Sequence, residues 1–170
     1  MLTRPDPSEL DALYHASFEQ VPDGNVLEIM AREIEDTTRL LQSVTDEKAD
    51  DRYAPGKWSI KEVVGHLADT ERIMGFRALS FARGETVDLP GFEQDDYVVT
   101  GRFARRRLSD LSRELGAIRA STIALFAGFD DDMLLMRGRA SGSEFTVRAL
   151  AYLICGHEIH HKRILRERYL

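Results

Sequence analysis

Five histidines punctuate the chain, and two of them end the segment His157-Glu158-Ile159-His160-His161. On a helix, H-E-x-x-H places its first and last imidazoles one turn apart, so that both can reach one metal ion. On a wheel of about 100° per residue, Val147, Leu150, Ile154, Ile164 and Leu165 set an apolar centre, and His157 and His161 fall within about 40° of it. For either imidazole alone, a hydrogen-bonded core histidine is the plainer reading. Paired at i and i+4 they favour a shared cation, which satisfies both lone pairs where apolar surroundings strip their hydration. His160 lies about 90° or more from the centre and is read as a rim residue.

Two imidazoles do not complete a site, because a catalytic ion takes about three protein ligands and keeps a position open. The zinc-protease pattern seeks the third ligand downstream, where only Glu167 offers an oxygen. Upstream, His15 lies in a weakly patterned segment. His66 falls in mid-helix on the shoulder of an apolar stripe, facing a groove between helices, and is the candidate third ligand. A helix-flank histidine partly in solvent is its bland alternative.

Other polar residues have weaker signals. Glu158 is about 60° from the apolar centre and is a candidate catalytic base or water-orienting group, although a surface acid accounts for it as well. Asp69 and Glu71 could fix an imidazole tautomer, and helix-face charges explain them equally. Arg119 could hold an anionic substrate group, with a surface position as the plainer reading. Cys155, about 160° from His157, reads as a packed side chain.

These residues need helices to hold them. Leu27, Met30, Ala31, Ile34, Leu41 and Val44 recur at helical spacing, and Asn25 with Glu28 resembles a capping pair. Residues 45–57, Asp-rich and closed by Pro55 and Gly56, read as a loop. Ser59-Ile60-Lys61-Glu62 is a capping box that opens a second helix, with Gly84 as its terminator. Residues 85–101 lack sustained helical periodicity and form the longest connection, enough to recross one end of a bundle. A third helix spans about residues 109–127, closed by Gly128. After a linker with Gly138 and Gly142, Thr146 caps a fourth. The expectation is an all-α four-helix bundle in one domain over residues 1–170, with residues 1–24 as an arm or short helix and no strand of substance.

Composition narrows the partners. With 23 Lys plus Arg against 29 Asp plus Glu, the net charge of −6 argues against nucleic acid, and the basic run from Arg105 to Arg107 reads as a solvated face. No apolar stretch approaches the roughly 18 residues of a membrane span, and the N-terminus lacks the apolar run of a signal peptide. One cysteine excludes an internal disulfide framework and fits the cytoplasm.

Trp58-Ser59-Ile60-Lys61-Glu62, His66-Leu67-Ala68-Asp69 and Gly156-His157-Glu158-Ile159-His160-His161 together resemble the DinB/YfiT-like family. The acidic Phe92-Glu93-Gln94-Asp95-Asp96 and the Thr146-Val147 helix start extend the likeness over most of the chain. The resemblance implies an up-down-down-up bundle, a three-histidine site of His66, His157 and His161, and frequent homodimers. It also implies S-transfer with bacillithiol or mycothiol, thiol-dependent isomerisation or metal-dependent hydrolysis. The expected function is therefore a divalent-metal enzyme, with zinc or nickel activating water or a low-molecular-weight thiol such as bacillithiol for a small-molecule substrate. A noncatalytic metal-stabilised, stress-associated binding module is the alternative.

Overall fold

The computed structural model describes residues 2–170. Helix α1 (Val26–Gln42) begins where Asn25 turns to extended geometry and its side-chain oxygen accepts the Leu27 N–H. Helix α2 (Ile60–Ala82) starts on the expected capping box: Ser59 Oγ accepts the Glu62 N–H and the Glu62 carboxylate accepts the Ser59 N–H. Helix α3 (Leu108–Ala127) has no side-chain cap from its own N-cap residue, and Asp46 from the connection between α1 and α2 accepts the Leu108 N–H at 3.0 Å. Thr146 caps helix α4 (Val147–Ile164) through the Ala149 N–H.

Helix α1 packs against α3 and α4, and α2 packs against the same two, so α1 and α2 stand across the diagonal. One apolar cluster joins Val26 and Met30 of α1, Phe81 of α2, Phe126 of α3 and Leu150 of α4. The other joins Leu41, Ile60, Leu111 and Leu165. The first thus gathers the N-terminal halves of α1 and α4 with the C-terminal halves of α2 and α3, and the second the reverse. That is the up-down-down-up bundle. Residues connecting α2 to α3 run back along its length, with Val98 and Phe103 reaching the second cluster, rather than recrossing one end.

Two segments depart from the expectation. The linker before α4 is a hairpin, β1 (Arg137–Ala140) antiparallel to β2 (Ser143–Thr146), turning at Ser141 and Gly142, both at positive φ. In β1 the inward positions are Gly138 and Ala140, residues too small to carry a hydrophobic period. Gly138 is required there, because a Cβ would stand 2.0 Å from the Phe81 ring. Within the long connection, Gln94–Gly101 is helical with only Val98 buried, which explains its weak periodicity. The N-terminal arm contains short helical turns, of which His15–Phe18 lies against α4. It can do so because Gly156 leaves the space: a Cβ there would meet the Ser17 carbonyl oxygen at 2.0 Å.

Candidate metal centre

Between the two apolar clusters the bundle is crossed by polar side chains. His66 on α2 and His157 and His161 on α4 each offer one ring nitrogen, all within 4.8 Å of one another. His66 Nε2 and His157 Nε2 stand 3.1 Å apart. Two nitrogens each 2.0–2.1 Å from one ion stand about 2.8–3.4 Å apart for bond angles between square and tetrahedral, so the spacing of this pair fits a shared divalent cation. His66 is buried and the other two are half-buried.

The helix geometry explains the convergence. His157 and His161 share one face of α4 at i and i+4, and α2 runs antiparallel beside it, bringing His66 opposite both. Thr70, one turn beyond His66, places Oγ1 3.4 Å from His66 Nδ1, leaving Nε2 to face the cluster. Gly65 makes room on the outer side of α2 for the Phe103 ring, 2.4 Å from where a Cβ would be. Trp58 covers the cluster, its ring centroid 4.6 Å from that of His66 and near-parallel to His161 at 6.5 Å. Its Nε1–H donates to Asp95 at 3.1 Å, and its carbonyl accepts the Tyr169 hydroxyl.

Burial drives the electrostatics of the triad. Desolvation lowers His66 to about 4 against a weak opposing pull from Asp95, and lowers His161 to about 3. His157 is also lowered by desolvation, with its two partner imidazoles adding to the effect. All three are therefore neutral at pH 7, the form in which imidazole binds metal.

A second buried polar group lies beside the triad. Arg119 of α3 grips Glu71 of α2 with two hydrogen bonds of 2.8 Å and Glu158 of α4 with one of 2.5 Å, and donates to the Met30 carbonyl of α1. Thr37 of α1 donates to the remaining Glu158 oxygen at 2.7 Å. Charge pairing raises the Arg119 pKa despite burial. A cavity of about 430 Å³ opens between these two groups, with His66, His157, Glu71, Arg119, Arg77 and Phe92 in its walls.

The chemistry-bearing residues named from sequence divide accordingly. His66, His157 and His161 come together, and His160 stays at the rim with its ring 5.2 Å from His161. His15 lies apart, its Nε2 3.0 Å from the Pro7 carbonyl oxygen. Cys155 is fully packed, and burial pushes its thiol up to about 12. Arg119 is not on the surface but 1% exposed, with its charge committed to carboxylates. Asp69 pairs with Arg72, and Thr70 rather than either acid contacts His66. Glu158 reaches the cavity wall with both oxygens engaged. Trp58 and Thr70 are the residues the histidine spacing did not single out.

Comparison with protein families matches residues 29–165 to the DinB superfamily. Among solved structures, the chain superposes on YfiT from Bacillus subtilis with a TM-score of 0.74, over 96% of this chain and 89% of that one, at 18% identity. That protein is described as a probable metal-dependent hydrolase with an unusual four-helix bundle topology. At this identity the likeness shows the fold. No curated protein matches the sequence.

Proposed function

Since the chain belongs to the DinB superfamily, we propose that His66, His157 and His161 hold one divalent ion, zinc or nickel, in a metal-dependent enzyme for a small-molecule substrate. One observation carries the reading: three neutral imidazoles converge within 4.8 Å, and two of them, His66 and His157, stand in the wall of a cavity large enough for a small organic molecule. Imidazole donors suit both metals, and three of them leave a coordination position open. An ion bound there supplies Lewis acidity, which lowers the pKa of a coordinated water or thiol.

The protein's own groups then have distinct tasks. Thr70 steadies the His66 ring, and Trp58 shields His66 and His161 from water. Glu158, with one oxygen on Arg119 and the other on Thr37, acts as a positioning residue that locks α4 against α1 and α3. A carboxylate so engaged is a poor proton acceptor, and this favours activation of a low-molecular-weight thiol, which needs no separate base once coordinated, over base-assisted hydrolysis. Hydrolysis stays open as the second reading through Glu93, a carboxylate at the cavity lining with no ion pair among the described residues.

Zinc and nickel titrations of the purified protein and its His66→Ala variant test the site. One equivalent of metal in the parent, and affinity reduced at least about a hundredfold in the variant, is the expected result, on the scale by which even ligand-orienting groups alter affinity. Equal binding by both would sink the three-ligand assignment. Metal-dependent conjugation of bacillithiol, mycothiol or another small thiol to an electrophile, against ester and amide hydrolysis, then separates the two reactions. Tight metal binding with neither turnover would identify a binding module.

A further inference from the structure

Arg77 is a second buried arginine in the same cavity, and unlike Arg119 it has no carboxylate. It is 2% exposed and lines the cavity at the end remote from the histidines. Its Nη2 donates to the Pro90 carbonyl and to Ser141 Oγ, both at 3.0 Å, which ties α2 to the long connection and the hairpin turn. Its Nη1 meets only the Met74 sulfur at 3.8 Å, a weak acceptor, and Nε has no hydrogen-bond partner among the described residues. The nearest influential acid, Asp88, is turned toward Arg139 at 3.7 Å and the Gly142 N–H. A buried guanidinium with no ion pair, and with only one of its nitrogens on oxygen acceptors, is costly to maintain for structure alone, since an apolar side chain of similar length would fill the space.

The helix fixes where this charge lies. Residues 66, 70, 74 and 77 follow the i, i+4, i+8, i+11 spacing of one helical face, so His66, Thr70, Met74 and Arg77 form one wall of the cavity. About 16 Å of helix axis separates His66 from Arg77 at 1.5 Å per residue. The Arg77 side chain leans back along the helix toward Met74, and so toward His66, and an extended chain of about six carbons with bonds at both ends covers the span that remains.

We infer that Arg77 binds the carboxylate of a small, elongated organic acid whose other end lies at the three histidines. Only that placement of the far end rests on the metal-site reading. A single carboxylate matches the single free guanidinium. A phosphate dianion would meet excess negative charge, because Glu71 and Glu158 outnumber Arg119 in the same wall and Glu93 lies at the lining. The apolar middle of the ligand would run past Leu67, Met74 and Leu153.

Calorimetric titration of the zinc-loaded protein with 6-mercaptohexanoate and with 6-mercaptohexanol tests the inference. The acid should bind at least tenfold tighter than the alcohol. In Arg77→Met that preference should vanish while the alcohol's affinity is unchanged, and Arg77→Lys should recover part of it. No preference in the parent protein, or a preference that survives in Arg77→Met, would overturn the assignment. Metal-free protein titrated with hexanoate and hexanol separates this result from the metal site: an Arg77-dependent preference for hexanoate supports the carboxylate site even if zinc does not bind. Should Arg77→Met fail to fold, the parent comparison and Arg77→Lys decide.

Discussion

The histidine triad and the Arg119 cluster occupy neighbouring layers of one bundle, draw on the same helices α2 and α4, and face opposite electrostatic situations. Around Arg119, every charge has a partner: two carboxylates, one guanidinium, a threonine hydroxyl and a backbone carbonyl close a network that touches all four helices. Around His66, three imidazoles turn their nitrogens toward one another, and no carboxylate hydrogen-bonds to any of them among the described residues. The first arrangement holds helices in register; the second gathers neutral donors with no charge among them. A bundle can present a cluster of neutral donors because the charged network beside it fixes the helices that carry them.

The contrast breaks most sharply at Arg119. Arg119→Met leaves Glu71 and Glu158 buried together without a cation, and should destabilise the protein by about 3–5 kcal/mol in urea unfolding. Adding Glu71→Gln and Glu158→Gln should recover much of that loss, because it removes the stranded charges. A smaller effect is expected from acid on the metal-free protein. The folded pKa values of His66, about 4, and His161, about 3, lie below the ordinary 6.5, so the unfolded chain takes up protons that the folded cluster refuses. Stability should therefore hold above about pH 6.5 and fall below it toward pH 4.5, by up to about 1.4 kcal/mol per pH unit for each such imidazole. Urea midpoints across that range should show a shallower slope in His161→Ala. Arg119, raised above its usual value, does not titrate in this window. The smallest change sharpens the role of Thr70: Thr70→Val removes one buried hydrogen bond and should lower the unfolding free energy in urea by about 1 kcal/mol. It should weaken zinc binding about tenfold in a calorimetric titration.

Much of the triad was legible from spacing alone. His157 and His161 share a helical face by arithmetic, and His66 followed from its place in a helix whose start the Ser59 and Glu62 side chains announce. The Arg119 cluster was not legible, because its bonds span 48 and 39 residues and an arginine on α3 reads the same whether it faces water or two buried acids. Thr70 escaped notice for a similar reason, as threonine in mid-helix carries no signal until the imidazole one turn away is seen to need an orienting group. Trp58 was visible as part of a motif, but its position over two imidazoles depends on a loop path that periodicity does not encode. The hairpin before α4 and the short helix at Gln94–Gly101 were hidden by small or exposed residues in places where larger apolar ones would have marked a period.

The separation of 91 positions between His66 and His157 also governs when the cluster can exist. Donors so far apart meet only after α4 has docked on α2, a contact whose loop-closure entropy must be overcome before any ion can bridge them. A cation held by all three histidines would therefore bridge helices that have already docked. Capture of such an ion would then be a late event, coming after the long-range packing of α2 on α4 and not before it.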